Sequence, residues 1–281
     1  MLSSGIPTRE EYLRLESEPL YAELLSSSQE FENICSAGGE STRSFRKKWV
    51  QDPFQQWSRR WEYVYVAQRL SEWASSRPGL IKVVDAGSGF TFYPFYLGQA
   101  ISNLEVHCYD NDPTAGAALQ EVGEDIGAGP AFQLEDLERL SREDETVDAV
   151  YSVSVIEHTK TPGKVVDEIN RILKPGGIFI CTFDISFETR SPMYYRQVEK
   201  LVNHITDVFD VPQDWKTDQF ESLPTDADIV STSWDLEAVK AGLPWRNPLL
   251  VWLYDLVRGR FRRALYRPLT FCCLTLNKEP K

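Results

Sequence analysis

The 281-residue chain carries 30 basic against 42 acidic side chains, a net charge of −12, and is 42% hydrophobic and 12% aromatic. A chain this long and apolar can bury a full core, which excludes global disorder, and its acidity excludes general nucleic-acid binding, which needs a basic footprint. Its five cysteines form no Cys-x-x-Cys pair, and four of them sit in apolar strand-like runs, so they predict a reducing, cytoplasmic setting with neither a disulfide framework nor a metal site.

The opening Met1–Gly5 lacks a basic region followed by an apolar one, so no signal peptide is expected. Residues 1 to about 43 are polar and interrupted. Glu10–Leu25 predicts one or two short helices, with Ser26–Ser28 and Ser36–Gly39 as linkers. From Ser44 to Ser76 the segment is crowded with Trp49, Phe54, Trp57, Trp61, Tyr63, Tyr65 and Trp73, and Pro53 splits it. The helical spacing after the break predicts a cap over a sheet's ligand edge. Its rings serve packing, or Trp57, Arg60, Trp61 and Tyr63 face a cofactor or substrate.

A strand over Ile81–Asp85 ends in Gly87-Ser88-Gly89, and Pro94 suits the first turn of the helix that follows. Such a corner cradles a nucleotide-like ligand, because glycine turns with positive φ and lets a ligand lie on bare main chain. Alone it reads equally as an ordinary strand–turn–helix corner, since Phe92 stands where a dinucleotide fingerprint has its third glycine. A second strand, Leu104–Tyr109, ends in Asp110-Asn111-Asp112-Pro113. That string suits a ribose-binding acid or a turn with a helix N-cap. A helix over Thr114–Ile126 leads to a third strand, Ala131–Leu134, closing on Glu135-Asp136. A fourth strand, Val147–Val155, runs into Glu157 and His158. A helix over Pro162–Leu173 and a fifth strand, Ile178–Phe183, complete the alternation. Near-continuously apolar strands between helices predict an α/β fold with a parallel sheet covered on both faces. The C-terminal third predicts an amphipathic helix over Met193–Phe209, an acidic loop over Asp210–Ala227, a short strand at Asp228–Thr232, an apolar helix at Leu249–Val257 and a last, antiparallel strand at Leu269–Leu276. Leu249–Val257 contains Asp255 and is too short to span a bilayer, so no transmembrane segment is expected.

Three separated strings carry a resemblance: Val84–Gly89; Asp136 with Leu140 and Thr146-Val147-Asp148; and Glu168-Ile169-Asn170-Arg171-Ile172-Leu173-Lys174-Pro175-Gly176-Gly177. On these the chain resembles the class I S-adenosylmethionine-dependent methyltransferases, in the group typified by ubiquinone and menaquinone biosynthesis enzymes. The resemblance covers about residues 80–184, with Thr91 at the family's third glycine of the first turn. It implies a Rossmann-like, seven-stranded, mostly parallel sheet. Residues 1–78 would form a helical cap and 79–281 the methyltransferase domain, with a lid or substrate insertion at about 187–267. It further implies S-adenosylmethionine as cofactor. Asp85, Gly87 and Gly89 would shape its methionine and ribose site, Asp110 with Asn111 would bind the ribose hydroxyls, Asp136 and the Leu137 N–H would meet the adenine, and Ser152 would line the methionine moiety.

An acidic cleft and aromatic faces suit a sulfonium cation, and in-line methyl transfer asks mainly for alignment and exclusion of water. His158, just past the fourth strand, is the first candidate for a general base and Glu157 the second; His107 reads as strand packing and His204 as surface or lid. Tyr93 is a candidate for the cofactor carboxylate. The cluster Arg258–Arg267 suggests contact with anionic lipid or an acidic carrier protein, against the simpler reading of a solvated face. The expected activity is methylation of an oxygen or nitrogen of a small-molecule acceptor, a sugar or natural-product intermediate. The alternative from another class is a non-catalytic methyltransferase-like subunit.

Overall fold

The structure is a computed structural model that describes residues 1–48, 54, 56–188, 191, 193–211, 223, 228–232, 253, 256–257 and 269–280. Trp49, Pro53, Leu243–Arg246, Arg258–Arg267 and most of Asp210–Ala227 and Leu249–Val257 lie outside the described residues.

Six strands form one sheet in the order β3-β2-β1-β4-β5-β6. They are β1 (Ile81–Ala86), β2 (Leu104–Asp110), β3 (Ala131–Leu134), β4 (Val147–Val153), β5 (Leu173–Ser186) and β6 (Leu269–Asn277). All neighbours are parallel except β5 and β6, which run antiparallel from Ile178↔Asn277 to Ser186↔Leu269. The order reverses between β1 and β4, the switch point at which open α/β sheets hold ligands beyond their carboxyl ends.

Successive strand residues are buried on opposite faces. Val83, Val106, Ala149, Ile180 and Cys273 face one core, and Val84, Tyr109, Val150, Phe179 and Cys272 the other. The first core is shared with α2 (Pro19–Ala37), α4 (Trp57–Ser75), α5 (Tyr93–Ala100) and α6 (Pro113–Ile126); the second with α7 (Pro162–Ile172) and α8 (Tyr195–Val208). A short α1 (Arg9–Arg14) opens the chain behind a Thr8–Glu11 capping box. All five cysteines are buried as free thiols. Among the described residues no helix is long and apolar enough to cross a membrane.

Two expectations change. Ser26–Ser28 is no linker but the middle of α2, because Leu24, Ser28, Phe31 and Cys35 recur at helical spacing and are all buried. The sheet of the described residues has six strands and not seven. Beyond β6 lie two short extended pieces. Gly5 exchanges both backbone hydrogen bonds with Cys273, at 2.7 and 2.9 Å, and the Thr232 N–H donates to Leu269 O at 3.0 Å. Pro7 has no N–H with which to lengthen the ladder, so each piece covers only part of the edge.

The most specific string of the sequence proves to be scaffold. Arg171 of α7 donates to Asp144 (2.7 Å), to the carbonyls of Arg142 (2.7 Å) and Leu140 (3.0 Å), and to both oxygens of Glu168. Glu168 in turn accepts from the Leu140 N–H at 2.8 Å. The pair therefore clamps the loop entering β4, while Lys174 reaches Asp148 at 2.6 Å.

On the other side, α3 (Glu40–Lys48) is docked by a carboxylate from α6. Glu121 accepts from the Ser41 and Thr42 N–H groups at 3.1 and 3.2 Å and from the Thr42 hydroxyl at 2.5 Å. The hydroxyl's hydrogen bond holds the Glu121 carboxyl below its ordinary pKa. Glu121→Ala is expected to loosen α3 by about 1–2 kcal/mol, the worth of a charged helix cap. Faster amide exchange over residues 40–48 is the readout, and unchanged exchange would remove the capping role.

Candidate functional site

The carboxyl ends of β1, β2 and β4 meet at the switch point. After Ala86 the chain turns through Gly87 (φ +82°) and Gly89 (φ +52°), both in the left-handed region. The Gly87 and Ser88 N–H groups donate to Tyr109 O at 2.7 and 3.1 Å, which pins the turn to β2. A Cβ on Gly87 would lie 2.3 Å from Val155 Cγ1, so only glycine fits there. A Cβ on Gly89 would meet only the Phe45 ring, at 3.8 Å, so the corner opens on that side.

Asp110 lies under the opening. Its Oδ2 accepts from the Gly89 N–H and its Oδ1 from the Asp112 N–H, both at 2.8 Å. Asp112 is the N-cap of α6, accepting from the Thr114 N–H at 2.9 Å. The Asp-Asn-Asp-Pro string thus divides its work: one acid faces the glycine turn and the other starts a helix, with Asn111 exposed between them.

Asp85 is buried beneath the turn at 5% exposure. Burial pushes its carboxyl up to about 8, with the Tyr151 hydroxyl beside it pulling down and Asp110 pushing up. The native state holds this proton more tightly than an unfolded chain with an ordinary Asp near 3.8. Its contribution to stability is therefore complete below about pH 4 and is lost as the pH rises through about 8. Thermal stability is expected to fall between pH 5 and 8, by up to about 1.4 kcal/mol per pH unit for each such proton. Asp85→Asn should flatten part of that slope; an identical slope in the variant would clear Asp85 of it.

The remaining sequence-predicted residues divide. Asp136 is exposed at the end of β3 and accepts from the Glu138 N–H at 3.0 Å, beside the buried Leu137. Ser152 is fully buried, its hydroxyl donating to Ala86 O at 3.0 Å, so it ties β4 to β1 under the corner. Trp57 packs edge-on to Phe271, Trp61 stacks on Tyr12, and Arg60 points to Glu16 at 3.4 Å. Tyr63 stacks on Tyr93 with ring centroids 4.3 Å apart, and the Tyr93 hydroxyl donates to Tyr63 O at 2.8 Å. His107 meets Glu105 and His204 meets Asp167, each at 2.8 Å.

A second cluster stands at the ends of β4 and β5, under the start of α4. Glu157 is buried, and its Oε1 accepts from the Asp184 N–H at 3.0 Å. Arg59 donates to Glu62 at 2.5 Å and to the Ser154 hydroxyl; that hydroxyl donates to Glu62 at 2.7 Å. Ser154 takes the left-handed conformation, φ +49°, unusual for a residue with a side chain. It is held there by its N–H, which faces Thr182 O and Oγ1 at 3.0 and 3.1 Å. His158, on the rim, is solvent-exposed, and the protein around it and the Arg59 charge lower its pKa.

Sequence reasoning singled out Glu157 and His158 but not Arg59, Glu62, Ser154 or Asp184, which the fold brings to the same place. The one available signal was Arg59 and Glu62 at helical i, i+3 spacing among the aromatics. Two hollows, about 650 Å³ along α6 and β3 and about 560 Å³ between α2, α4 and α5, touch neither Gly87, Asp110 nor Asp184.

The family described as a methyltransferase domain matches residues 84–181. A dimethylglycine N-methyltransferase of Parasynechococcus marenigrum (strain WH8102) is 27% identical over 187 residues, 65% of this chain and 60% of that protein. The matches span between 43% and 60% of the length of the curated relatives. Among solved structures, a geranyl diphosphate methyltransferase in complex with GPP and sinefungin superposes with a TM-score of 0.51 at 12% identity, covering 76% of this chain and 78% of its own. The [4+2]-cyclase SpnF superposes at 0.50 with 16% identity, covering 83% and 87%. These likenesses are of fold, and the second bears the name of a different chemistry, so the reaction has to be argued from the residues.

Proposed function

Taking residues 84–181 as a methyltransferase domain of the class I S-adenosylmethionine-dependent type, we propose that the chain is an enzyme that moves a methyl group from S-adenosylmethionine to an oxygen or nitrogen of a small-molecule acceptor. The supporting observation is the corner itself: a turn that only glycine can make, open at Gly89, with the Asp110 carboxylate beneath it. The donor set fits the cofactor. A carboxylate at the end of β2 suits a ribose diol, and the bare main chain of Gly87–Gly89 suits a ligand lying flat on it.

When bound, S-adenosylmethionine supplies a methyl group on positively charged sulfur, open to attack by a lone pair. The chain's own work is to bind, align and exclude water. Asp110 holds the ribose, Asp136 and the Leu137 N–H hold the adenine, and α4 roofs the ends of β4 and β5 where the acceptor would lie. An amine is the favoured nucleophile. Glu62, Glu157 and Asp184 outnumber Arg59 there, and the relative from Parasynechococcus marenigrum is named for an amine. The sugar or natural-product acceptor drew its support from the C-terminal insertion, most of which lies outside the described residues.

Calorimetric titration with S-adenosylhomocysteine tests the cofactor half, with NADH as the control ligand. Methyl-labelled S-adenosylmethionine with a panel of small amines and alcohols tests the acceptor half. Binding with label transfer is expected. Folded protein that binds neither ligand would favour a non-catalytic subunit, and binding of NADH alone would favour an oxidoreductase.

A further inference from the structure

We infer that Glu157 and Asp184 share a single proton, and that the outward oxygen of Asp184, Oδ2, receives the proton that the acceptor's N–H or O–H gives up. The inference rests on the methyltransferase reading and adds a proton-handling residue, Asp184, to it.

The geometry comes first. Asp184 stands near the end of β5 and Glu157 in the turn after β4, at the sheet edge beside the glycine corner. Glu157 is only 8% exposed. Its Oε1 takes the Asp184 N–H, and its Oε2 is buried without a partner among the described residues. Asp184 Oδ1 is likewise buried and unpartnered, while the residue as a whole is half-buried, which leaves Oδ2 as the oxygen facing out.

The charges around the pair leave room for one proton. From α4 come Arg59 and Glu62, and Arg59 is already engaged by Glu62 at 2.5 Å. From the turn after β4 comes His158, and from within β5 the buried thiol of Cys181. No further cation among the described groups faces the pair. Two carboxylates so close in such a place resist being ionised together, so the ionised pair readily takes up one proton. Burial and the Asp184 charge raise Glu157 well above the ordinary carboxylate range; burial and Glu62 raise Asp184 to about 7, with Arg59 opposing. A proton acceptor poised near neutral pH is the useful kind.

In the step itself, the acceptor's lone pair forms the bond to the methyl carbon as the methyl–sulfur bond opens toward sulfur. The acceptor's proton passes to Asp184 Oδ2. Glu157 is a positioning residue, fixing Asp184 through its N–H and setting its proton affinity.

Infrared titration of the full chain from pH 5 to 9 reads the pair directly. Besides the signal of the buried Asp85, which an Asp85→Asn variant removes, we expect a protonated-carboxyl component that titrates near pH 7, is lost in Asp184→Asn and moves down by at least one pH unit in Glu157→Gln. No component near pH 7 once Asp85 is replaced by asparagine, a component undiminished at pH 9 in that variant, or one unmoved by both pair substitutions overturns the proton sharing. Reach is tested with a water-soluble carbodiimide and glycinamide at pH 7. Coupling at Asp184 is expected, and its absence while surface carboxylates are coupled overturns the role toward an acceptor. If Asp184→Asn does not fold, the Glu157→Gln titration and the coupling still decide. S-adenosylhomocysteine binding, measured on the same proteins, separates the two readings: its loss in the wild type sinks the methyltransferase reading and leaves the shared proton standing.

Discussion

Asp110→Ala is expected to weaken S-adenosylhomocysteine binding about a hundredfold, roughly 2.7 kcal/mol, while the protein stays folded. Two hydrogen bonds from a carboxylate to a ribose diol are charge-assisted and account for a loss of that size. Asp110 also holds the Gly89 and Asp112 N–H groups, so alanine slackens the turn as well as removing the ligand contact. Asp110→Asn separates these contributions. Its remaining carbonyl oxygen can keep one of the two backbone contacts, but it lacks the charge and the second acceptor for the diol. Calorimetry on both variants, beside thermal melts, is the measurement. Wild-type affinity in Asp110→Ala would remove the ribose assignment and with it the main support for the cofactor.

Gly87→Ala is expected to cost about 2–4 kcal/mol of stability and to abolish cofactor binding. One part is the left-handed backbone at φ +82°, worth about 1 kcal/mol for a residue with a Cβ. The other is overpacking against Val155, whose Cγ1 lies 2.3 Å from the new methyl position. Adding Val155→Ala removes the second part and leaves the first, so the double variant should recover between a third and two thirds of the loss. Full recovery would make packing the whole cause, and no recovery would make it the backbone. A denaturant titration of the three variants measures this.

The fold was largely legible because each strand's apolar run ended at a residue with a local job. Gly87 and Gly89 announce a left-handed turn, Pro113 and Pro162 open helices, and Asp112 caps one. Ser26–Ser28 misled because three serines resemble a linker, yet burial is set by position on the helix face and only Ser28 is inside. The sixth strand was legible from its own apolar run, whereas the covering of its edge was not, since a single bridge from Gly5 and one hydrogen bond from Thr232 leave no periodic trace.

The cofactor corner is local in sequence; the acid cluster is not. Arg59 and Glu62 come from α4, Ser154 and Glu157 from the end of β4, and Asp184 from β5, and only the folded sheet brings them together. The long string from Glu168 to Gly177 was the strongest mark of kinship, yet Glu168 and Arg171 spend their charges on the loop before β4. It carries the resemblance while shaping a connection, without touching the candidate chemistry.

Gly5 and Cys273 are 268 positions apart and share two backbone hydrogen bonds. A ribosome adding roughly 5–20 residues each second releases the first partner tens of seconds, about 13 to 54, before the second. During that interval Ile6, next to Gly5 and buried in the finished protein, lacks the edge of β6 beside it. The segment around Gly5 is therefore among the last parts to settle, and a chaperone that shields short greasy segments would be most useful to the nascent chain during that wait.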